Sequence, residues 1–158
     1  MENENKDLVV KEENNQIMDF SSIGRNSNTK VETFSNIKDS KKLFNLGRHV
    51  DSMLNDCVGE TIKIKEVLIK RYQKPLDNPV IDEVTGEIVK DYETSVSCIL
   101  IDQTGKSYAT GSKTFTYDLM RYLGENNGEA SLEAGIDIKI IKINIGDKGN
   151  KALTFELV

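Results

Sequence analysis

The chain has 158 residues, of which 37% are hydrophobic and 30% charged, so it can build one modest core and leaves much of its length in solvent. Its two cysteines, Cys57 and Cys98, exclude a disulfide framework and favour two reduced thiols. The amino terminus has neither the basic start nor the apolar centre of a secretory signal, and no apolar run approaches the roughly 20 residues of a membrane span. We therefore expect a soluble intracellular protein with no membrane partner.

The formal net charge of -5 is distributed unevenly. Residues 1–20 contain two lysines and six acidic residues (2 − 6 = -4), which leaves the remainder of the chain at -1. The first strand predicted below is locally basic, with only Glu60 and Glu66 opposing its lysines and arginine. An acidic total therefore does not exclude a polyanionic partner.

Residues 1–36 are rich in Asn, Ser, Glu and Lys and have no sustained apolar period, which predicts a largely disordered, acidic and polar tail. Apolar residues cluster between Ile17 and Ile23. This cluster is either a docking motif for a partner or a second copy, or part of a loosely packed tail. Residues 37–158 are expected to form a single domain.

A helix over about residues 39–58 is predicted by apolar residues that recur at steps of three and four. Asp39 or Ser40 can cap its start, and Gly59 ends it. The apolar stripe consists of Leu43, Leu46, Val50, Met53, Leu54 and Cys57. We expect this helix to plug the open end of a barrel or to cover an edge strand.

The first strand is predicted at about Thr61–Gln73, and its alternation contains a slip. Ile62 and Ile64 are apolar at even positions, whereas the following apolar residues stand at odd positions. Such a slip indicates a bulge or a sharp bend. The segment after this strand reads as a β-hairpin arm with a turn at Thr85–Gly86. The arm could clamp a ligand, reach a neighbouring subunit or form a solvated loop.

The rest of the chain alternates turns, strands and one helix. Strand two is predicted at Tyr92–Ile101, and a tight turn at Asp102–Gly105 leads to strand three at about Lys106–Ser112. A helix at Tyr117–Glu125, capped by Thr114 or Thr116, and a polar loop follow. Strand four at Ile136–Ile145 contains a second slip, and a hairpin loop at Gly146–Asn150 joins it to strand five at Lys151–Val158. This order predicts a mainly β protein with an OB-fold, a five-stranded Greek-key barrel over about residues 60–158.

Motifs of known catalytic sites and of cofactor sites are missing from the sequence. It lacks a nucleophile elbow, a phosphate-binding glycine loop and the HExxH metal motif, and its single histidine, His49, cannot build a metal site with a second histidine. We therefore predict neither an enzyme nor a bound metal or cofactor.

Binding of a single-stranded nucleic acid requires a basic groove and aromatic rings on which bases stack. Tyr72, Tyr92 and Tyr108 lie on the first three strands, which form the sheet that an OB-fold presents to nucleic acid. The candidate DNA-binding residues are Lys63, Lys65, Lys70, Arg71, Tyr72, Lys74, Tyr92, Tyr108, Lys139, Lys142, Lys148 and Lys151. Phe115, Tyr122 and Phe155 are expected in the core.

Several stretches resemble the single-stranded DNA-binding proteins of bacteriophages and conjugative plasmids of Gram-positive bacteria. These stretches are DCVGETIKIKEVLIKRY, DEVTGEIV, SCILIDQTGKSYATGSKTF and GNKALTFEL, preceded by the leader SNIKDSKKLFNLGRHVDSMLN. The resemblance covers about Phe34 to Val158. It implies sequence-independent binding of single-stranded DNA, which protects and organises that DNA during phage replication or recombination or during plasmid transfer.

The resemblance also implies a homo-oligomer, either a dimer or a filament along DNA, in the cytoplasm of a bacterial host cell. Many proteins of this kind recruit partners through an acidic carboxyl-terminal tail, whereas the acidic segment of this chain is amino-terminal. Contacts with replication or transfer proteins are therefore assigned to the amino-terminal tail. The alternative function is that of an OB-type protein–protein adaptor that binds no nucleic acid.

Overall fold

The computed structural model describes residues 29–158, which are mainly β. The strands are β1 (Lys30–Ser35), β2 (Ser52–Met53), β3 (Thr61–Ile81), β4 (Ile88–Asp102), β5 (Ser107–Thr110), β6 (Ile136–Ile145) and β7 (Asn150–Leu157). The helices are α1 (Ser40–Leu46), α2 (Lys113–Glu125) and α3 (Gly128–Ala134), and a 3-10 turn at Leu54–Cys57 follows β2. The predictions for residues 1–28, including the cluster Ile17–Ile23, lie outside the described residues.

The strands form one curled sheet, an open half-barrel, in the order β2-β5-β4-β3-β6-β7, and β1 pairs with β3. β3, β4 and β5 form a meander, and the chain returns through α2 and α3 to place β6 beside β3, which is a Greek-key arrangement. Within residues 29–158 no ladder joins β5 to β7. The two ends of the sheet approach each other where the Ser112 hydroxyl donates to the carbonyl of Leu153 at 2.9 Å.

The inner face of the sheet carries the main core, against which α2 and α3 pack. β3 and β4 contribute alternate residues such as Val67 and Leu100, and α2 contributes Phe115, whose ring meets that of Phe155 edge-on at 5.1 Å. The predicted core positions of Phe115, Tyr122 and Phe155 are confirmed. Apolar burial of this kind supplies most of the stabilisation of a small domain.

A second apolar cluster lies on the outer face of the sheet. Leu68 of β3 and Ile99 of β4, which point away from the main core, pack with Ile37 and Leu46. α1 therefore covers part of the outer face, and the central part of β3 is buried on both sides.

The predicted helix over residues 39–58 is wrong in its extent. Asp39 caps α1 as expected, accepting the N–H of Lys41 at 2.9 Å, but the helix ends at Leu46. The residues of the predicted apolar stripe belong to two different hydrophobic clusters. Leu46 packs on the outer face of the sheet, whereas Leu54 and Cys57 lie in the inner core. Between these two groups of residues, β2 pairs with β5 at the end of the sheet, and the chain crosses there from one face to the other.

Three further boundaries differ from the sequence predictions. Residues 30–35, assigned to the tail, form β1 because Glu32 pairs with Arg71 of β3. α2 begins three residues after Thr110, capped by Ser112, whose hydroxyl accepts the N–H of Phe115 at 3.2 Å. The predicted polar loop contains α3, which forms because Leu132 is buried in the inner core.

The predicted hairpin arm is confirmed. β3 continues to Ile81, β4 begins at Ile88, and Gly86 turns the chain with a φ of 76°. We refer to residues 76–93 as the arm.

The first predicted slip is also confirmed, as a bulge between Ile64 and Glu66 in the β3–β4 register. The side-chain amide of Asn36 forms hydrogen bonds with the backbone of β3 on both sides of Glu66. Its Nδ2 donates to the Lys65 carbonyl at 3.0 Å, and its Oδ1 accepts the N–H of Val67 at 2.9 Å. Asn36 therefore satisfies two backbone groups on the edge of β3 that faces away from β4, just beyond the residues that pair with β6.

The second predicted slip, in β6, does not produce a bulge. The β6–β7 ladder keeps one register from Ile138 opposite Leu157 to Ile145 opposite Asn150. Consequently Ile143 and Ile145 lie on the other face of the hairpin from Ile138, and both are exposed. The apolar residues change face along this strand, whereas its backbone pairing continues.

We expect Asn36→Ala to lower the free energy of unfolding by about 1–3 kcal/mol, because it leaves one donor and one acceptor at the bulge without a partner. Urea unfolding followed by circular dichroism measures this change. Asn45→Ala, on the exposed side of α1, is the matched control and should leave the midpoint almost unchanged. Equal midpoints for the two variants would show that Asn36 does not support the bulge.

Candidate nucleic-acid interface

The outer face of β3 presents a short row of basic and aromatic side chains beyond α1. Lys70, Tyr72 and Lys74 follow Leu68 at alternate positions, so they share its face of the strand. Their partners on β4 are Ser97, Ser95 and Glu93. Because two of these three partners are small serines, we expect space beside the half-buried Tyr72 ring. We call these six residues the Tyr72 face.

The three candidate tyrosines do not form one platform. Tyr92 pairs with Pro75 and alternates with Val96 and Cys98, so it lies on the opposite face from Tyr72. Tyr108 is only 4% exposed and belongs to the inner core. The prediction that Tyr108 offers a stacking surface is wrong, because its position on β5 alternates inward.

Two of the predicted basic residues on β3 are held by groups near α3 and β6. The Lys63 ammonium pairs with the Asp137 carboxylate at 3.0 Å, and that of Lys65 donates to the carbonyl of Glu133. The stems of both lysines pass over Gly135, whose φ of 94° and lack of a Cβ allow this approach. Lys63 and Lys65 therefore connect β3 to the end of α3.

Arg71 is also engaged within the chain. Its Nε donates to the Glu32 carboxylate at 2.7 Å, and this hydrogen bond raises the pKa of the guanidinium further. The pair fastens β1 to β3. Among the residues that the structure describes, no ion pair involves Lys70 or Lys74.

The other predicted lysines belong to the β6–β7 hairpin, which pairs with β3 only between Thr61 and Ile64 and not along the part that carries Tyr72. Lys139 lies opposite Glu156, a residue of opposite charge. Lys142, Lys148 and Lys151 are exposed near the hairpin turn. The Tyr72 face and the lysines of the β6–β7 hairpin are thus two separate groups of candidate residues.

An exposed aromatic residue on α1 was missed by the sequence reasoning. The Phe44 ring is 66% exposed, and the Arg48 guanidinium lies 5.6 Å from its centroid. Phe44 stands beside Leu43 but outside the apolar stripe, a position that could have identified it. A ring and a cation together are suited to stack on a base.

The predicted turn between β4 and β5 is organised by the carboxylate of Asp102. Its Oδ1 accepts the N–H groups of Thr104 at 2.8 Å and Lys106 at 3.0 Å, and its Oδ2 accepts the Tyr108 hydroxyl at 2.9 Å. Burial by itself would raise the pKa of Asp102, but the hydrogen bonds from these residues lower it below its usual value. Burial raises the pKa of the Tyr108 hydroxyl, and its hydrogen bond to Asp102 raises it further.

Neither cysteine has the properties of a reactive nucleophile. Both are buried free thiols, and burial raises the pKa of Cys98 to about 12 and also raises the pKa of Cys57. Across residues 29–158, no cluster of three His, Cys, Asp or Glu side chains is arranged to hold a metal ion.

Comparison of the chain with protein-family models, with curated proteins and with solved structures found no match. In the described part of the chain, no helix combines the length and apolar character needed to cross a membrane.

We expect acid to destabilise the fold partly through Asp102. Its pKa is lowered in the folded state, so its stabilising effect is present above the unfolded value of about 3.9 and is lost as the pH falls through the folded value. Asp102→Asn should be less stable than the wild type at pH 7 and should lose less stability between pH 7 and pH 3. Urea midpoints at both pH values measure this, with Asp91→Asn on the arm as control.

Proposed function

We propose that this protein is a non-enzymatic, sequence-independent single-stranded DNA-binding protein that uses the Tyr72 face. One observation carries the proposal: Lys70, Tyr72 and Lys74 share the outer face of β3, and the small side chains of Ser95 and Ser97 lie opposite the first two. A ring between two cations combines base stacking with phosphate neutralisation. The resemblance to phage and plasmid proteins assigns this binding to replication, recombination or conjugative transfer.

We also propose that the half-barrel is an OB-fold. The Greek-key order of β6-β3-β4-β5, extended by β7, and the opening between β5 and β7 support this assignment. OB-folds bind their ligands on strands two and three and on the loops after strands one and four. In this chain those loops are the arm and the turn at Gly146–Gly149.

α1 packs on part of the outer face of the sheet and leaves a smaller area of that face accessible to DNA. Leu68 and Ile99 are buried beneath the segment around Ile37 and Leu46, so the sheet is open only farther along β3. The Tyr72 face begins where this cover ends. Lys70 and Lys74 are separated by about 13 Å along the strand, which leaves the Tyr72 ring between them.

Phe44 of α1 and Arg48, in the turn after this helix, extend the proposed site. This helix packs on the same side of the sheet as the Tyr72 face, through Leu43 and Leu46. Its exposed ring and guanidinium offer a second place for a base. A site with two aromatic positions suits an extended single strand better than a duplex, because paired bases cannot stack on a side chain from outside.

The adaptor function has one observation in its favour. The arm exposes several large apolar side chains, and its charged residues are mostly acidic, which suits contact with a protein better than contact with a phosphate backbone. An adaptor would bind a different protein stably and would not bind oligo-dT.

Tyr72→Ala should weaken binding of a fluorescently labelled oligo-dT by roughly 5- to 150-fold, because a stacked base contributes about 1–3 kcal/mol. Anisotropy titration at low salt measures the dissociation constant. Tyr92→Ala is the matched control, since Tyr92 lies on the other face of the same ribbon, and it should bind almost as the wild type does. A wild-type protein that binds no 30–60-mer would refute the proposal, and equal losses in both variants would refute the assignment to the Tyr72 face.

Lys70→Gln should reduce the slope of log affinity against log salt concentration by about 0.7, the value for one phosphate contact with a single strand. Lys63→Gln should leave that slope unchanged because the Lys63 ammonium is paired with Asp137. Titrations of both variants at four or more salt concentrations test this difference. An unchanged slope for Lys70→Gln would remove Lys70 from the DNA contact.

A further inference from the structure

We propose that the arm of one molecule docks on the turn of the β6–β7 hairpin of a second copy of this chain. We call residues 142–151 the tip. The contact would be made by an acidic apolar surface on the arm and a basic apolar surface on the tip. It needs no DNA and is independent of the DNA-binding proposal.

The arm exposes more apolar surface than a solvated hairpin needs. Its exposed large apolar side chains are Val80, Ile81, Val84, Ile88, Val89 and Tyr92, and Val84 is 93% exposed. Ile81 lies directly opposite Ile88, so their side chains form one continuous patch. A two-stranded ribbon is only marginally stable by itself, and packing against another surface would stabilise it.

The charge of the arm indicates what kind of partner it can bind. Residues 76–93 contain one lysine and six acidic residues (1 − 6 = -5). This density of negative charge disfavours a nucleic acid and favours a basic protein surface.

The tip has the complementary character. Residues 142–151 contain three lysines and one aspartate (3 − 1 = +2). Ile143 and Ile145 are exposed there, because the unbroken β6–β7 register turns them away from the face that carries Ile138 and Ile140. The tip therefore carries Ile143 and Ile145 on one face and Lys142 and Lys151 on the other, with Lys148 in the turn that joins the strands. Like the arm, it combines exposed apolar side chains with an excess of charge of one sign in a short hairpin.

The two surfaces project from opposite ends of the sheet. β6 pairs antiparallel with β3 between Thr61 and Ile64, with Ile136 opposite Ile64. From this point β3 runs on to Ile81, roughly 50 Å along the strand, whereas β6 runs the other way for roughly 30 Å to Ile145. The arm and the tip therefore extend in opposite directions from the β3–β6 pairing, so we place the contact between two copies.

Such a contact is heterologous, since each copy contributes a different surface to it. Two copies can make the contact reciprocally and close as a dimer. If only one contact forms, each copy keeps an unused arm or tip, and assembly continues into a ring or an open head-to-tail array. If the DNA-binding proposal also holds, an array would repeat the Tyr72 face along one strand. The tip lysines would then contact the neighbouring arm, whereas Lys70 and Lys74 would remain available to phosphates.

Complementary charge reversal tests the contact in the full chain without DNA. The arm variant Glu83→Lys/Glu87→Lys and the tip variant Lys148→Glu/Lys151→Glu each place like charges against each other. Each variant alone should associate on the order of 100-fold more weakly than the wild type, because apposed like charges cost several kcal/mol. An equimolar mixture should regain association, since the reversed arm then meets the reversed tip. Sedimentation velocity over a concentration series measures the association.

The control carries Lys113→Glu and Glu125→Lys, two exposed positions on α2 outside both surfaces, and should associate as the wild type does. Wild-type protein that stays monomeric at all concentrations would overturn the proposal, and so would unchanged association of either variant alone. A mixture that stays monomeric would also overturn it. Oligo-dT affinity of each variant, measured at concentrations below self-association, reports separately on the DNA-binding proposal.

Discussion

The fold depends on the point where β3 changes its neighbour. One edge of β3 pairs with β6 up to Ile64 and with β1 farther along the strand, while the other edge pairs with β4. A bulge after Ile64 bends the strand there, and the Asn36 amide binds the carbonyl of Lys65 and the N–H of Val67. Without these two hydrogen bonds, the bend that curls the sheet would leave backbone groups without partners.

Beyond the bulge, the same strand is covered on both faces, and this decides which surface remains for a ligand. Val67 and Ile69 face α2 and α3, whereas Leu68 faces α1. Only past this doubly buried stretch do polar side chains reach solvent on the outer face. The proposed DNA surface is therefore narrow, because apolar contacts with α1 bury the neighbouring part of the outer face.

The lysines and the arginine of β3 form two groups that differ in their local contacts and do not follow the order of the sequence. Lys63, Lys65 and Arg71 join β3 to β6, α3 and β1, and their charges are satisfied within the chain. Lys70 and Lys74 lie on the outer face, opposite Ser97 and Glu93 of β4. The basic residues of β3 thus partly hold elements of the fold together and partly form the surface that we propose for phosphates.

The sequence by itself determined the local features: the bulge in β3, the turns at Asp102 and Gly86, the limits of β6 and the existence of the arm. Each of these depends on residues close together in the chain, through alternation or through turn chemistry. Tertiary structure decided which residues share a surface. Strand alternation gives two faces but not their partners, so only the pairing of Pro75 with Tyr92 separates Tyr92 from Tyr72. Likewise, spacing alone suggested one long helix, whereas burial on two faces of a sheet divides its residues between α1 and the inner core.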